Sequence, residues 1–168
     1  MEILLKSWKE AEVDAFLVRQ EVFILEQGVP AELELDEFDS SAAHVLVYQD
    51  ARCIGTGRLV NLSAKQAQIG RMAVLAKFRG KGVGMQILQK LVDLATSQRA
   101  QEIILHSQVS AIPFYEKLGF QAQGDVYDEA GIPHRNMMLI LANSFASLVG
   151  LSPFWASHSA RLRSNISK

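Results

Sequence analysis

The stretch Ile69-Gly-Arg-Met-Ala-Val-Leu-Ala-Lys-Phe-Arg-Gly-Lys-Gly-Val-Gly-Met85 decides the reading of the whole chain. Gln68 to Val74 is a short apolar run of strand character, and Val83 to Thr96 carries Val83, Ile87, Leu88, Leu91, Val92 and Ala95 at helical spacing. Between strand and helix lies Arg79-Gly80-Lys81-Gly82-Val83-Gly84. Glycines so placed let successive backbone N–H groups turn toward one point, and the helix adds its partial positive N-terminus, so the loop is built to hold an anion. Arg79 and Lys81 reinforce the preference.

The spacing selects among anions. A P-loop needs Ser or Thr after the last glycine of Gly-x-x-x-x-Gly-Lys, and here Met85 follows Gly84; a Gly-x-Gly-x-x-Gly fingerprint needs a third glycine where Met85 stands. Arg79, Gly82 and Gly84 instead fit Arg/Gln-x-x-Gly-x-Gly/Ala, which resembles the pyrophosphate-binding signature of the Gcn5-related N-acetyltransferases (GNAT). Ser110-Ala-Ile-Pro-Phe-Tyr-Glu-Lys-Leu-Gly-Phe120 is similar to that family's last strand-to-helix crossover. Val126-Tyr-Asp-Glu-Ala-Gly-Ile-Pro-His134 and Glu21-Val-Phe-Ile-Leu-Glu-Gln27 narrow the resemblance to its ElaA-like branch. The motifs cover most of residues 1–142, which reads as one GNAT domain, followed by a C-terminal extension over 143–168.

Length and composition agree with one ordinary globular domain. A net charge of −1 offers no clustered basic surface for nucleic acid. The apolar runs are too short to span a membrane, and Met1-Glu2 opens no basic leader, so neither a membrane anchor nor a signal peptide is expected. With one cysteine and no Cys or His cluster at ligand spacing, no disulfide and no metal site is expected, and a reducing, cytoplasmic setting is inferred.

Met1 to Ser7 predicts a strand. Glu10 to about Glu26 predicts a helix with Val13, Phe16, Leu17 and Ile24 on its apolar face, stopped by Gly28 and Pro30. His44 to Gln49 and Cys53 to Asn61 predict a strand pair, Glu102 to Ser107 another strand, and Ala111 to Leu118 the crossover helix closed by Gly119. Gln121 to Tyr127 and His134 to Leu141 predict an antiparallel pair. This order predicts an α+β fold with a mixed central sheet of roughly six to seven strands flanked by helices, which is the GNAT fold the motifs imply. In the extension, Phe145, Leu148, Leu151, Phe154 and Trp155 are amphipathic. That segment can pack on the domain, mediate a homodimer or stay partly disordered.

The resemblance implies acetyl-CoA as co-substrate and an acetyl group passed by direct attack of a primary amine, from a small molecule or a peptide, on the thioester. The cofactor-binding residues it implies are Met72, Ala73 and Val74 by their main chain, then Arg79, Gly80, Lys81, Gly82, Val83, Gly84 and Met85, with Gln108, Phe114 and Tyr115 along the arm. Many relatives have asparagine where Gln108 stands; the ElaA-like branch tends to have glutamine. A main-chain N–H of Ala73 or Val74 would polarise the carbonyl at a bulge in the splayed strand. Periodicity alone reads Tyr115 as a core aromatic, whereas the resemblance makes its hydroxyl the acid for the leaving thiol.

An alkyl amine near pKa 10.4 must lose a proton at neutral pH, at a cost of about 4–5 kcal/mol, so a base is needed. Glu129 and His134 stand first, then Glu26, His44 and His106. The run Glu26 to Asp39 holds Glu26, Glu32, Glu34, Asp36, Glu37 and Asp39 with no basic residue. Such a block reads either as a solvated loop or as a negative rim attracting a cationic amine. On the second reading Phe23, Glu26, Gln27, Asp36, Asp39 and His44 border the acceptor. His44 equally reads as a strand-edge histidine bonded to backbone, and Cys53 as a small buried hydrophobe rather than an acyl-carrying nucleophile.

Two other functions fit parts of the chain. Arg19, Phe23, Glu34-Leu-Asp-Glu-Phe-Asp39, His44 and Gly57-Arg58-Leu59 resemble acyl-homoserine lactone synthases, which share the fold but lack the glycine loop and bind an acyl carrier protein. A non-catalytic acyl-CoA sensor would keep the loop without turnover.

Overall fold

The computed structural model describes residues 1–141. The extension over 143–168, with its amphipathic stretch, lies outside the described residues. Seven strands form one mixed sheet: β1 (Glu2–Ser7), β2 (Ala43–Gln49), β3 (Arg52–Asn61), β4 (Gln66–Val74), β5 (Glu102–Gln108), β6 (Gln121–Glu129) and β7 (Ile132–Ile140), in spatial order β1-β2-β3-β4-β5-β7-β6. All neighbours are antiparallel except β4 and β5. That parallel pair needs a crossover, which α2 (Val83–Ser97) supplies.

The two faces carry separate cores. Leu46 joins Cys53, Ala73 and Leu75 beneath α1 (Trp8–Arg19), while its neighbours Val45 and Val47 join Ile54, Ile69, Ile103 and Leu105 beneath α2. This is strand alternation with both faces covered. The apolar stripe of α2 packs as its spacing predicts, with Val83, Ile87, Leu88, Leu91 and Ala95 buried. It lies very near the sheet because β3 has no side chain beneath it at Gly57. A Cβ there would sit 2.6 Å from Ile87 Cγ2 and 2.7 Å from Met72 Sδ.

The first helix differs from expectation. It begins at Trp8, behind Ser7, whose N–H donates to Glu10 Oε2 (3.2 Å), and continues from Gln20 to Glu26 in π-helical winding. Its buried face is Ala11, Ala15, Val18 and Val22, and Val13 and Leu17 are exposed. Small side chains let the helix approach the sheet closely, so the larger residues expected in the core point outward.

The β6–β7 hairpin is also tighter than predicted. Both strands run to a two-residue turn at Ala130-Gly131, each with positive φ (54° and 78°), the geometry that matches the twist of a hairpin. Pro133 therefore lies inside β7, opposite Asp128, just beyond the reach of β5.

No helix among the described residues is long and apolar enough to cross a membrane.

Candidate active site

β4 and β5 begin as partners and then part. Only Gln66 to Gln68 pairs with Glu102 to Ile104. Beyond them β5 stays registered on β7, His106 opposite Asn136 and Gln108 opposite His134, while β4 stays registered on β3. The departure is driven from β4. Its pairing with β3 slips between Gly70↔Arg58 and Ala73↔Thr56, and Arg71 takes a positive φ of 50° at that bulge. A bulge bends its strand, and parting two strands frees main-chain donors and acceptors along both inner edges.

A cavity of about 820 Å³ fills the opening. β4 lines it with Gly70 to Val74, the loop and first turn of α2 with Arg79, Gly80, Gly82, Val83, Gly84 and Met85. Gln108, Phe114 and Tyr115 line it from the crossover, His106 from β5, and Glu129, Ile132 and His134 from the hairpin. Phe23, Gln27, Val29, Leu33 and Glu34 close it from the segment after α1.

The glycine loop has the form an anion cradle requires. Gly80 and Gly82 sit at φ of 71° and 81°, where L side chains are strained, and Gly82 caps the 15-residue helix α2. Arg79 is turned aside from this cradle. Its Nη1 and Nη2 each donate to a carboxylate oxygen of Glu26 at 2.7 Å, and its Nε donates to Val74 O at 2.8 Å. Lys81 points its ammonium at the Phe78 ring, 5.6 Å from the centroid, and does not line the cavity.

Tyr115 is in α3 (Ile112–Glu116), a short helix that Pro113 is suited to begin. Its ring packs edge-on against Phe114 (5.0 Å) and Phe120 (6.0 Å), and its hydroxyl has no hydrogen-bond partner among the described residues although the side chain lines the cavity. Burial pushes its pKa up to about 12. The group therefore keeps its proton, and it is better suited to donating a hydrogen bond to a developing anion than to surrendering the proton outright. Gln108 Nε2 donates to Gln27 Oε1 (2.9 Å), joining two walls of the cavity.

On the hairpin side, Glu129 Oε2 lies 3.6 Å from His106 Nδ1 and 3.9 Å from His134 Nε2, too far for direct hydrogen bonds. His134 Nδ1 lies 2.8 Å from Ile132 O. A carbonyl can only accept, so Nδ1 carries the hydrogen and the neutral ring presents Nε2 as a lone pair. Two proton acceptors thus flank a gap that one N–H or O–H donor would fill.

The acetyltransferase (GNAT) domain model matches residues 5–141, nearly all of the described chain. The chain belongs to the GNAT acetyltransferase family. It is 37% identical over 139 residues to the uncharacterized N-acetyltransferase YjcF of Bacillus subtilis (strain 168), covering 82% of this chain and 99% of that protein. The crystal structure of Escherichia coli ElaA matches with a TM-score of 0.74 at 27% identity, covering 82% of this chain and 99% of that one. BjaI, a CoA-dependent acyl-homoserine lactone synthase solved with SAM and isopentyl-CoA, shares the fold at 13% identity, with a TM-score of 0.70 over 87% and 86% of the two chains.

In this GNAT acyltransferase the acidic run divides: Glu32 and Glu37 are exposed, whereas Glu34, Asp36 and Asp39 turn onto three arginines. Arg19 binds Asp39 through Nη1 (2.8 Å) and Nη2 (3.0 Å) and Glu34 through Nε. Arg58 binds both Asp36 oxygens (2.6 and 2.8 Å) and Asp39 Oδ1 (2.7 Å). Arg71 Nη2 binds Asp36 Oδ2 at 3.0 Å. Three arginines offset three carboxylates, and Asp39 and Glu34 are nearly fully buried. Asp36 and Asp39 do not line the cavity. Assigning them to the acceptor is therefore corrected, because their charge is spent inside the fold.

His44 is likewise corrected. It is buried against Trp8 (ring centroids 4.9 Å), donates from Nε2 to Asp39 O (2.9 Å), and lies away from the cavity. Burial, partly offset by the Asp39 backbone bond, lowers its pKa. Glu26 is also absent from the lining, since it faces Arg79. Cys53 is buried outside the cavity with its thiol pKa pushed up to about 11 by burial, which makes it inert as a nucleophile in this GNAT site.

Among the residues lining the GNAT cavity, Val29, Leu33 and Arg71 are given no role by the sequence. Only Arg71 left a trace in the sequence, as a lone cation within an apolar strand run.

Proposed function

We propose that this chain is an acetyl-CoA-dependent N-acetyltransferase whose acceptor, a primary amine of a small molecule or peptide, attacks the thioester directly. The observation that carries this is one cavity in which an anion cradle, a parted strand pair and an unpaired, protonated tyrosine hydroxyl converge. Bound there, acetyl-CoA would supply an activated acetyl group on a thiol leaving group. The amides of Gly80, Gly82 and Gly84 would hold its diphosphate at the start of α2, and the freed edge of β4 at Met72 and Val74 would hold its arm. A main-chain N–H of Ala73 or Val74 polarises the carbonyl, Tyr115 donates to the departing sulfur, and Glu129 with His134 takes the amine's proton. The unit is proposed as residues 1–142, working in a reducing, cytoplasmic setting.

The test is thiol release from acetyl-CoA across a panel of amines that includes peptide N-termini and lysines. Release with some amines is expected. Tight binding of acetyl-CoA without release from any amine would favour a sensor. A lactone synthase is the other reading. BjaI is CoA-dependent, so CoA use does not separate the two classes, and the product has to. Incubation with S-adenosylmethionine and an acyl donor is expected to give no lactone.

Glu26 competes with the diphosphate for Arg79. The pair is about half exposed, and such pairs are worth roughly 0.2–1 kcal/mol. Glu26→Gln should therefore lower the Kd for acetyl-CoA by about 1.5- to 5-fold in a calorimetric titration. A raised Kd would mean that Glu26 positions Arg79 instead.

A further inference from the structure

Arg71 is the one arginine of the buried ionic network whose side chain also reaches the cavity, at 27% exposure. Its Nε donates to Glu34 O (3.0 Å), and its Nη2 donates to Leu33 O (3.2 Å) and Asp36 Oδ2 (3.0 Å). Its Nη1 has no partner among the described residues and is not sealed from solvent. The one carboxylate it touches is already held at both oxygens by Arg58. Burial and the charge of Arg58 lower the Arg71 pKa, so its cation is under-compensated where it stands. The residue also holds a φ of 50°, which costs a non-glycine residue about 1 kcal/mol, and such strain gathers at functional positions.

Across the gap between β4 and β5, the acceptor side of the same cavity carries Glu129 and His134, and Phe23, Val29 and Leu33 add apolar wall. Resting on the transferase reading above, we infer that the acceptor is an amine that also bears a carboxylate, an amino-acid-like molecule, with the carboxylate on Arg71 Nη1 and the amine at Glu129 and His134. The guanidinium offers a planar donor edge suited to a carboxylate, while a second cation would be repelled. Within that block Glu34, Asp36 and Asp39 are already held by Arg19, Arg58 and Arg71, which weakens its draw on a purely cationic amine.

The experiment compares acids with their own amides as acceptors: L-leucine with leucinamide, L-phenylalanine with phenylalaninamide, and ω-amino acids of increasing length with their amides. An amide's amine holds its proton less tightly, so intrinsic reactivity favours the amide, and an acid preference has to come from the site. At one or more amine–carboxylate separations, wild type should prefer the acid by about 10- to 100-fold in kcat/KM, the range for a hydrogen bond to a charged partner. In Arg71→Gln that ratio should fall toward one, chiefly through KM for the acid, with acetyl-CoA affinity retained. Amides matching or beating acids at every length, or a preference that survives Arg71→Gln, would overturn the inference while leaving the transferase standing. Absence of thiol release from any amine would remove the transferase reading and this inference with it. Should Arg71→Gln fail to fold, the wild-type ratios still decide.

Discussion

Tyr115→Phe will bind acetyl-CoA like wild type and lose about 100-fold or more in kcat, the range of a positioned general acid. The substitution removes one oxygen and keeps the ring, so the edge-on packing with Phe114 and Phe120 survives. The lost oxygen makes no hydrogen bond with the described residues, so its removal leaves no buried partner unsatisfied. A large kinetic loss without a folding loss is therefore diagnostic of a role toward the bound thioester. With a pKa near 12, the hydroxyl lies well above a free thiol near 8.5, and full proton transfer is uphill by about 5 kcal/mol. Most of the benefit must come from a hydrogen bond to the developing thiolate. Because the raised pKa keeps the proton on, ionisation of this group should cause no alkaline fall in rate below that value. A kcat within about threefold of wild type, measured by thiol release, would strip Tyr115 of the role.

Asp39→Asn will be destabilised by about 3–5 kcal/mol, since it leaves the buried charges of Arg19 and Arg58 short of a partner. Burial alone would raise the Asp39 pKa, but Arg19 and then Arg58 outweigh it and hold the carboxyl at about 2. The sign follows from that. A carboxyl depressed below its unfolded value near 3.9 contributes stability above that value, and the contribution disappears as pH falls toward about 2. Urea unfolding of wild type should therefore steepen in pH dependence across that window, and the slope should flatten in Asp39→Asn. Equal stability of the two proteins at neutral pH would refute the network as a structural tie between α1, the loop after it and β3.

What the sequence made legible follows from local signals. The stripe of α2, the turn at Gly80 and Gly82, and the alternation through Val45, Leu46 and Val47 each depend on residues a few positions apart. The sheet and the loop-to-helix step came out as expected. What escaped depended on distance in sequence or on shape. The acidic run looks unpaired because its partners are Arg19, Arg58 and Arg71, and an ion pair such as Arg58 with Asp36 spans 22 positions. The buried face of α1 does not follow from hydropathy, because Val13 and Leu17 are more apolar than Ala11 and Ala15, yet close packing selects the smaller side chains. The bulge that the resemblance implies in this strand puts its positive φ on Arg71 and not on the adjacent Gly70, so residue type alone does not locate it.

The proposed chemistry depends on the amides ahead of α2 gripping the diphosphate of coenzyme A and aiming its acyl group into the gap between β4 and β5. A crystal structure of the complex with coenzyme A tests it most directly. The diphosphate is expected on the N–H groups of Gly80, Gly82 and Gly84, the arm alongside Met72 and Val74, and the sulfur beside the Tyr115 hydroxyl. Coenzyme A bound elsewhere, with that cradle holding solvent, would contradict it.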